Sequence, residues 1–160
     1  MNLADPGLDH HAVIEALGLA PHPEGGHFRE VWRDAPADGA RGAGTAIHYL
    51  LAPGECSHWH RVDAAEAWLW QGGGALSLLL SPDGHDMEAV HLGPDLARGQ
   101  RLLAVVPKGV WQAARPLDGW ALVACTVTPA FSFDGFEMAP PGWEPQPRGG
   151  VAFHDRRFAR

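Results

Sequence analysis

Apolar residues along most of this chain either alternate with polar ones or form short runs. Clusters of Gly, Pro, Asp and Ser interrupt them at short intervals. Only one segment has a helical rhythm. HHAVIEAL carries apolar residues at helical spacing, with Asp9 as N-cap and Gly18 as stop, and predicts one helix over about residues 9–17. From there the period falls to two. Strands are expected in GHFREVWR (26–33), TAIHYLLA (45–52), ECSHWHRV (55–62), EAWLW (66–70) and ALSLLL (75–80). Further strands are expected in MEAVHL (87–92), QRLLAVV (100–106), WQAA (111–114) and WALVACTVT (120–128). Pro53-Gly54, Ser81-Pro82-Asp83-Gly84 and Pro107-Lys108-Gly109 read as turns, and residues 36–44 as a loop. About nine or ten short strands at this spacing point to an all-β barrel or sandwich with one short N-terminal helix.

The length of 160 residues fits a single domain, with a barrel core over about 22–140. Residues 141–160 are rich in Pro, Gly and Arg and read as a tail, which Trp143 and Phe153 are candidates to pin to the barrel or to a second subunit. The 20 Gly and 14 Pro are spread along the chain, so they add turns rather than one linker. The formal net charge is -7 and Lys108 is the sole lysine, which argues against nucleic-acid binding. No apolar run approaches the roughly 18 residues of a membrane helix. The opening MNLADPGLDHH lacks a basic stretch followed by an apolar run, so no signal peptide is expected. Cys56 and Cys125 lack metal-type spacing and read as buried small hydrophobes in a reducing cytoplasm.

The densest chemistry lies in SHWHRVDAAEAWLW (57–70). His58 and His60 stand two apart on a predicted strand, so period two puts both rings on one face. Glu66 opens the next strand and approaches them if that strand is an antiparallel neighbour. Two imidazoles and a carboxylate suit a divalent Fe, Mn, Ni or Zn ion, and equally suit proton transfer. Trp68 and Trp70 share the parity of Glu66 and are expected to wall a small-molecule pocket. Gly25-Gly26 permits a close backbone approach that brings Glu24 to the pocket mouth. His48 is a further candidate, with Tyr49 at the opposite parity and the inward one of the two left open. Arg29, Arg61 and Arg115 read as solvated surface.

Residues 54–72, with a Gly, His-x-His, a Glu and a closing Gly, resemble the first motif of the cupin superfamily. Pro107-Lys108-Gly109 resembles the start of the second. Five segments in order resemble the cupin branch called domain of unknown function 985: HPEGGHFREVWR (22–33), TAIHYLL (45–51), SHWHRVDAAEAW (57–68), VPKGVWQAA (106–114) and LVACTVTPAFSFDGFEM (122–138). The resemblance implies a jelly-roll β-barrel, or double-stranded β-helix, with an internal pocket, often in a homodimer. It places His58, His60, Glu66 and Gln112 where the superfamily holds a metal. Gln112 stands in place of the third His, and an amide oxygen is a poor ligand for a borderline ion. Leu69 stands where the branch commonly has His, and the gap between His60 and Glu66 is one residue longer than the motif.

Two functions follow. The first is an enzyme of isomerase, epimerase or lyase type acting on a small polar metabolite. Glu66 and His60 would exchange protons, and His58, Trp68, Trp70, Gln112, His48 and Glu24 would bind the ligand. The second is a non-catalytic module that uses the same groups for recognition alone. A small-molecule ligand and a homodimer are the expected partners.

Overall fold

The computed structural model describes residues 1–3, 5 and 7–148; Phe153 and the end of the expected tail lie outside them. Helix α1 spans His10–Leu17. The Asp9 carboxylate accepts the His11 amide at 3.2 Å. Gly18 closes the helix at φ 61°, a left-handed geometry that favours glycine. The helix buries Val13 on Leu19, Leu50, Trp120 and Leu122, outside the main core.

The strands are β1 (Ala20–Pro21), β2 (His27–Arg33), β3 (Thr45–Leu51), β4 (Ser57–Val62), β5 (Ala65–Gly73), β6 (Leu76–Ser81), β7 (Glu88–Leu92), β8 (Leu103–Val106), β9 (Trp111–Pro116), β10 (Ala121–Thr128) and β11 (Phe136–Met138). They form two antiparallel sheets, ordered β1-β2-β3-β10-β5-β8 and β11-β4-β9-β6-β7. Late strands insert between early ones in both sheets, which gives the jelly-roll arrangement the sequence led us to expect. Two short strands, β1 and β11, were not anticipated. At two and three residues they carry too little alternation to register.

One expectation about neighbours is corrected. β4 and β5 are joined by residues 63–64 but are not paired. β4 pairs with β9 and β11, and β5 with β10 and β8. Glu66 therefore meets His60 across the barrel interior, from the opposite sheet.

The inner faces enclose Tyr49, Leu51, Trp68, Leu78, Leu92 and Val123. Burial of these side chains drives the closure, at roughly 1.5–3 kcal/mol for each large apolar group. β6 is buried on both faces, because Leu79 packs outward against Trp59 and Ala113 under a cover that includes Trp111 and Trp143. That cover explains why β6 reads as a continuous apolar run instead of alternating. Trp143 lies 4.6 Å from Trp111 and 5.9 Å from Trp59 between ring centroids. It pins the start of the tail to its own barrel.

Candidate active-site cavity

The barrel holds a cavity of about 90 Å³ whose polar end is made by Glu24, His60 and Glu66. Glu24 arrives on the loop between β1 and β2. His22 N–H donates to the Gly26 carbonyl at 2.9 Å, Gly25 N–H to the His22 carbonyl at 3.0 Å, and His58 N–H to the Glu24 carbonyl at 2.8 Å. Gly25 sits at φ 107°, and a Cβ there would collide with the Cys56 carbonyl. Only glycine fits. The outcome goes further than the sequence suggested, because the Glu24 carboxylate is buried inside the barrel, not at its mouth.

Around Glu24, the Ser57 hydroxyl donates to Oε1 at 3.1 Å, and Oε2 lies 3.3 Å from His60 Nε2 and 3.7 Å from His22 Nδ1. Ser57 and His60 are three residues apart yet meet the same carboxylate. An irregularity in the β4–β9 register between them breaks period two. That irregularity corrects the reading of His58. Its ring does not line the cavity, and what it offers the site is backbone. Its carbonyl accepts from His60 Nδ1 at 2.7 Å. A carbonyl cannot donate, so the His60 proton is fixed on Nδ1 and Nε2 is left facing Glu24.

From β9, beside His60 in the same sheet, Gln112 reaches across to β5: its Nε2 donates to Glu66 Oε2 at 2.6 Å, and its Oε1 accepts from the Trp68 indole at 2.9 Å. The indole can only donate, which sets the amide orientation. Gln112 and Trp68 stand behind Glu66, and neither lines the cavity. Trp70 is elsewhere. Its indole donates to the Gly74 carbonyl at 3.0 Å, and it borders a separate groove with Leu3 and Trp120. His48 is also outside, with Nδ1 3.0 Å from Gln71 Oε1. Tyr49 is the inward residue of that pair, fully buried, with its hydroxyl donating to the Gly25 carbonyl at 2.7 Å.

Burial dominates the electrostatics. It raises the Glu24 carboxyl, against opposing pulls from His22, Ser57 and Tyr49. It raises Glu66 to about 7, with the Glu24 charge adding and His60, Gln112 and Cys125 opposing. It lowers His60, with Glu66 and the His58 carbonyl opposing, and lowers His22, with Glu24 opposing and His60 adding. The Cys125 thiol is pushed well up by burial and by Glu66, which keeps it a thiol, not a nucleophilic thiolate.

The proposed metal ligands do not assemble. Ligand atoms around one first-row ion stand close together, because each lies about 2.0–2.3 Å from it. Among the described residues, the one set of three His, Cys, Asp or Glu donors within 4.8 Å of each other is Asp9, His10 and His11, at the start of α1. His58 is turned from the cavity lining and the Gln112 oxygen is occupied by Trp68. The donors in the cavity do not fit a preformed divalent site.

Apolar walls come from Phe28, Ile47, Val62 and Val127, and the mouth from Phe131, Phe133 and Phe136. The Phe131 ring lies 5.0 Å from Phe133 and 5.9 Å from Phe136. The mouth adjoins a wider groove between residues 34–42 and 130–135, which shares Arg33, Phe131 and Phe133 with it. Sequence reasoning missed His22, Ser57 and this aromatic mouth. A histidine two residues before Glu24 was a usable signal for His22. Nothing local marked Ser57, whose direction depends on the register irregularity.

Two jelly-roll sheets closed on a polar, histidine- and carboxylate-bearing cavity define a barrel of the cupin class. The chain belongs to the cupin superfamily branch DUF985, whose family description matches residues 11–139. Protein SO0799 from Shewanella oneidensis is similar at 37% identity, TM-score 0.78, over 84% of this chain and 86% of that one. A hypothetical protein from Leishmania major is similar at 30% identity, TM-score 0.75, over 85% and 90%. Oxalate decarboxylase from Bacillus subtilis shares the fold at 17% identity and TM-score 0.59; the match covers 77% of this chain and 30% of that longer one. No curated protein matches by sequence.

Proposed function

We propose that the cavity carries out acid–base chemistry on a small polar molecule, with His60 and Glu66 as the groups that exchange protons. The observation that carries this reading is the environment of His60. Its Nδ1 proton is fixed by the His58 carbonyl at 2.7 Å, and its Nε2 faces the buried Glu24 at 3.3 Å. Glu66, raised to about 7, is poised to give or take a proton near neutral pH. Isomerisation and epimerisation at a carbon next to a carbonyl begin with removal of its proton, which suits such a pair. A divalent ion is left out of this step because the cavity donors do not converge on one.

The test is solvent exchange. The protein is incubated with pooled small metabolites in D2O, and deuterium uptake is followed by mass spectrometry. The wild type is expected to label at least one compound, while Glu66→Gln and His60→Gln, checked for folding, do not. A ligand that co-purifies and is returned unlabelled and unchanged would favour the non-catalytic binding module instead.

A homodimer belongs to the same reading. Its support is the edge strand β8, which among the described residues pairs only with β5 and exposes Leu103 and Val105, next to an exposed Leu102. Light scattering that returns the mass of one chain at micromolar concentration removes this part.

A further inference from the structure

We propose that the cavity selects a small organic cation, a protonated amine carried on an apolar body, and rejects carboxylates and phosphates. The inference rests on the reading of Glu24 and Glu66 as the polar end of the cavity and adds the charge of what they receive.

Three carboxylates line the cavity, Glu24, Glu30 and Glu66, against one guanidinium, Arg33. Arg33 is already engaged. Its Nε and Nη2 donate to the two oxygens of Glu30 at 2.9 and 2.7 Å, and Nη1 donates to the Phe131 carbonyl at 2.9 Å. Arg33 and Glu30 thus cancel each other at the rim, and the two inner carboxylates face no cationic Lys or Arg.

The histidines do not fill that role. His22 Nδ1 accepts the Glu24 amide N–H at 3.2 Å, so a proton on Nδ1 would break that bond, and the ring is held neutral. His60 is buried, and its Nε2 lies 3.3 Å from Glu24 Oε2. Tyr49 and Cys125, the other titratable groups packed against the two carboxylates, are both pushed up by burial and stay uncharged. An anionic ligand would add negative charge beside Glu24 and Glu66, where the one guanidinium of the lining, Arg33, is already held by Glu30 and the Phe131 carbonyl. An ammonium would instead relieve the two carboxylates.

The walls suit the rest of such a molecule. Phe28, Phe131, Phe133 and Phe136 line it with apolar aromatic surface, and an aromatic ring attracts a cation placed over its face. The size sets the scale of the head group. A cavity of about 90 Å³ is smaller than the roughly 150 Å³ that admits benzene, so the interior takes an amine with a few carbons. A longer body would extend past Phe131 and Phe133 into the adjoining groove.

The experiment uses the full chain in amine-free phosphate buffer, titrated calorimetrically with n-butylamine, n-butanol and butyrate. At about pH 8 butylamine is expected to bind about 10-fold or more tighter than butanol, and butyrate not at all, in line with the effect of one nearby opposite charge. Affinity should weaken as pH falls below about 7, where Glu66 takes up its proton. Glu66→Gln should weaken butylamine selectively. In case that variant misfolds, the Glu66 carboxyl is followed by ¹³C NMR in the wild type, and saturating butylamine should move its titration downward. Butyrate binding as tightly as butylamine, or no butylamine binding, overturns the proposal. The ligand-free titration separates the two levels. Glu66 titrating in the ordinary carboxylate range defeats the acid–base reading itself. Glu66 titrating near neutrality without amine binding defeats only the choice of a cation.

Discussion

His60 Nε2 stands 3.3 Å from Glu24 Oε2, while the far nitrogen of the same ring is tied to its own strand by the His58 carbonyl. One ring thus has a fixed proton on one side and a carboxyl partner on the other. Burial pushes the carboxyl up and the imidazole down. Both shifts have one cause, the cost of holding a charge in the barrel interior.

Removing the Glu24 charge should act on a residue it does not bond. Glu24 raises Glu66 through space. Glu24→Gln is therefore expected to shift the Glu66 titration downward from about 7. ¹³C NMR of the labelled side-chain carboxyls reads this directly, and an unchanged Glu66 would rule out the coupling.

Folding stability should carry a pH signature from Glu66. Its pKa rises from 4.5 unfolded to about 7 folded, so the folded state holds the proton more tightly. The contribution is fully present below about 4.5 and is lost as pH rises to about 7, worth on the order of 3 kcal/mol. Glu24 acts in the same direction, and His60 and His22 act oppositely, since lowered imidazoles lose stability on acidification. The comparison is therefore between wild type and Glu66→Gln in urea across this range. The difference between them should vary with pH, and parallel curves would contradict the Glu66 shift.

Gln112→Leu should damage both of its neighbours. It leaves the Trp68 indole and one Glu66 oxygen without a partner in the interior. The expected cost is about 2–4 kcal/mol. Loss of the amide should also raise Glu66 further, because Gln112 opposes that shift. Chemical denaturation and the carboxyl titration check the two effects separately.

Gly25→Ala should cost about 2 kcal/mol or more, from the positive φ and the collision with the Cys56 carbonyl. The loop should lift and take Glu24 out of the barrel, so Glu66 should titrate lower as in Glu24→Gln. Full stability with an unchanged Glu66 would mean that the loop does not depend on glycine here.

Trp143→Ala should loosen the segment after β11 without opening the barrel. Trp143 covers Trp59 and Trp111, and truncating it should cost about 2–3 kcal/mol. Limited proteolysis should then cut near residue 143 while the core persists.

The sequence was informative wherever a physical rule is local. Asp9 and Gly18 bounded the helix, and the alternation in TAIHYLL placed β3 with Tyr49 and His48 on opposite faces. His60 and Glu66 were legible as candidates from their types and spacing, and Glu24 from the Gly25-Gly26 pair beside it; all three line the cavity. What failed depended on pairing between distant segments. His58 was grouped with His60 because period two assumes a regular strand, and the irregularity opposite β9 breaks that assumption. Trp70 was placed by parity, which cannot tell a cavity wall from another part of the sheet, and parity left open which of His48 and Tyr49 faces inward. Gln112 was read as a ligand, and its bond to Trp68 became visible only once β9 and β5 faced each other.

The loop that delivers Glu24 has a consequence for how this barrel diversifies. It is held by main-chain bonds among His22, Gly25, Gly26 and His58, none of which involves the side chain at position 24. A change of that one codon alters the acid inventory of the cavity while the scaffold that presents it keeps its anchors. The barrel can thus try a new proton partner for His60 in a single mutational step.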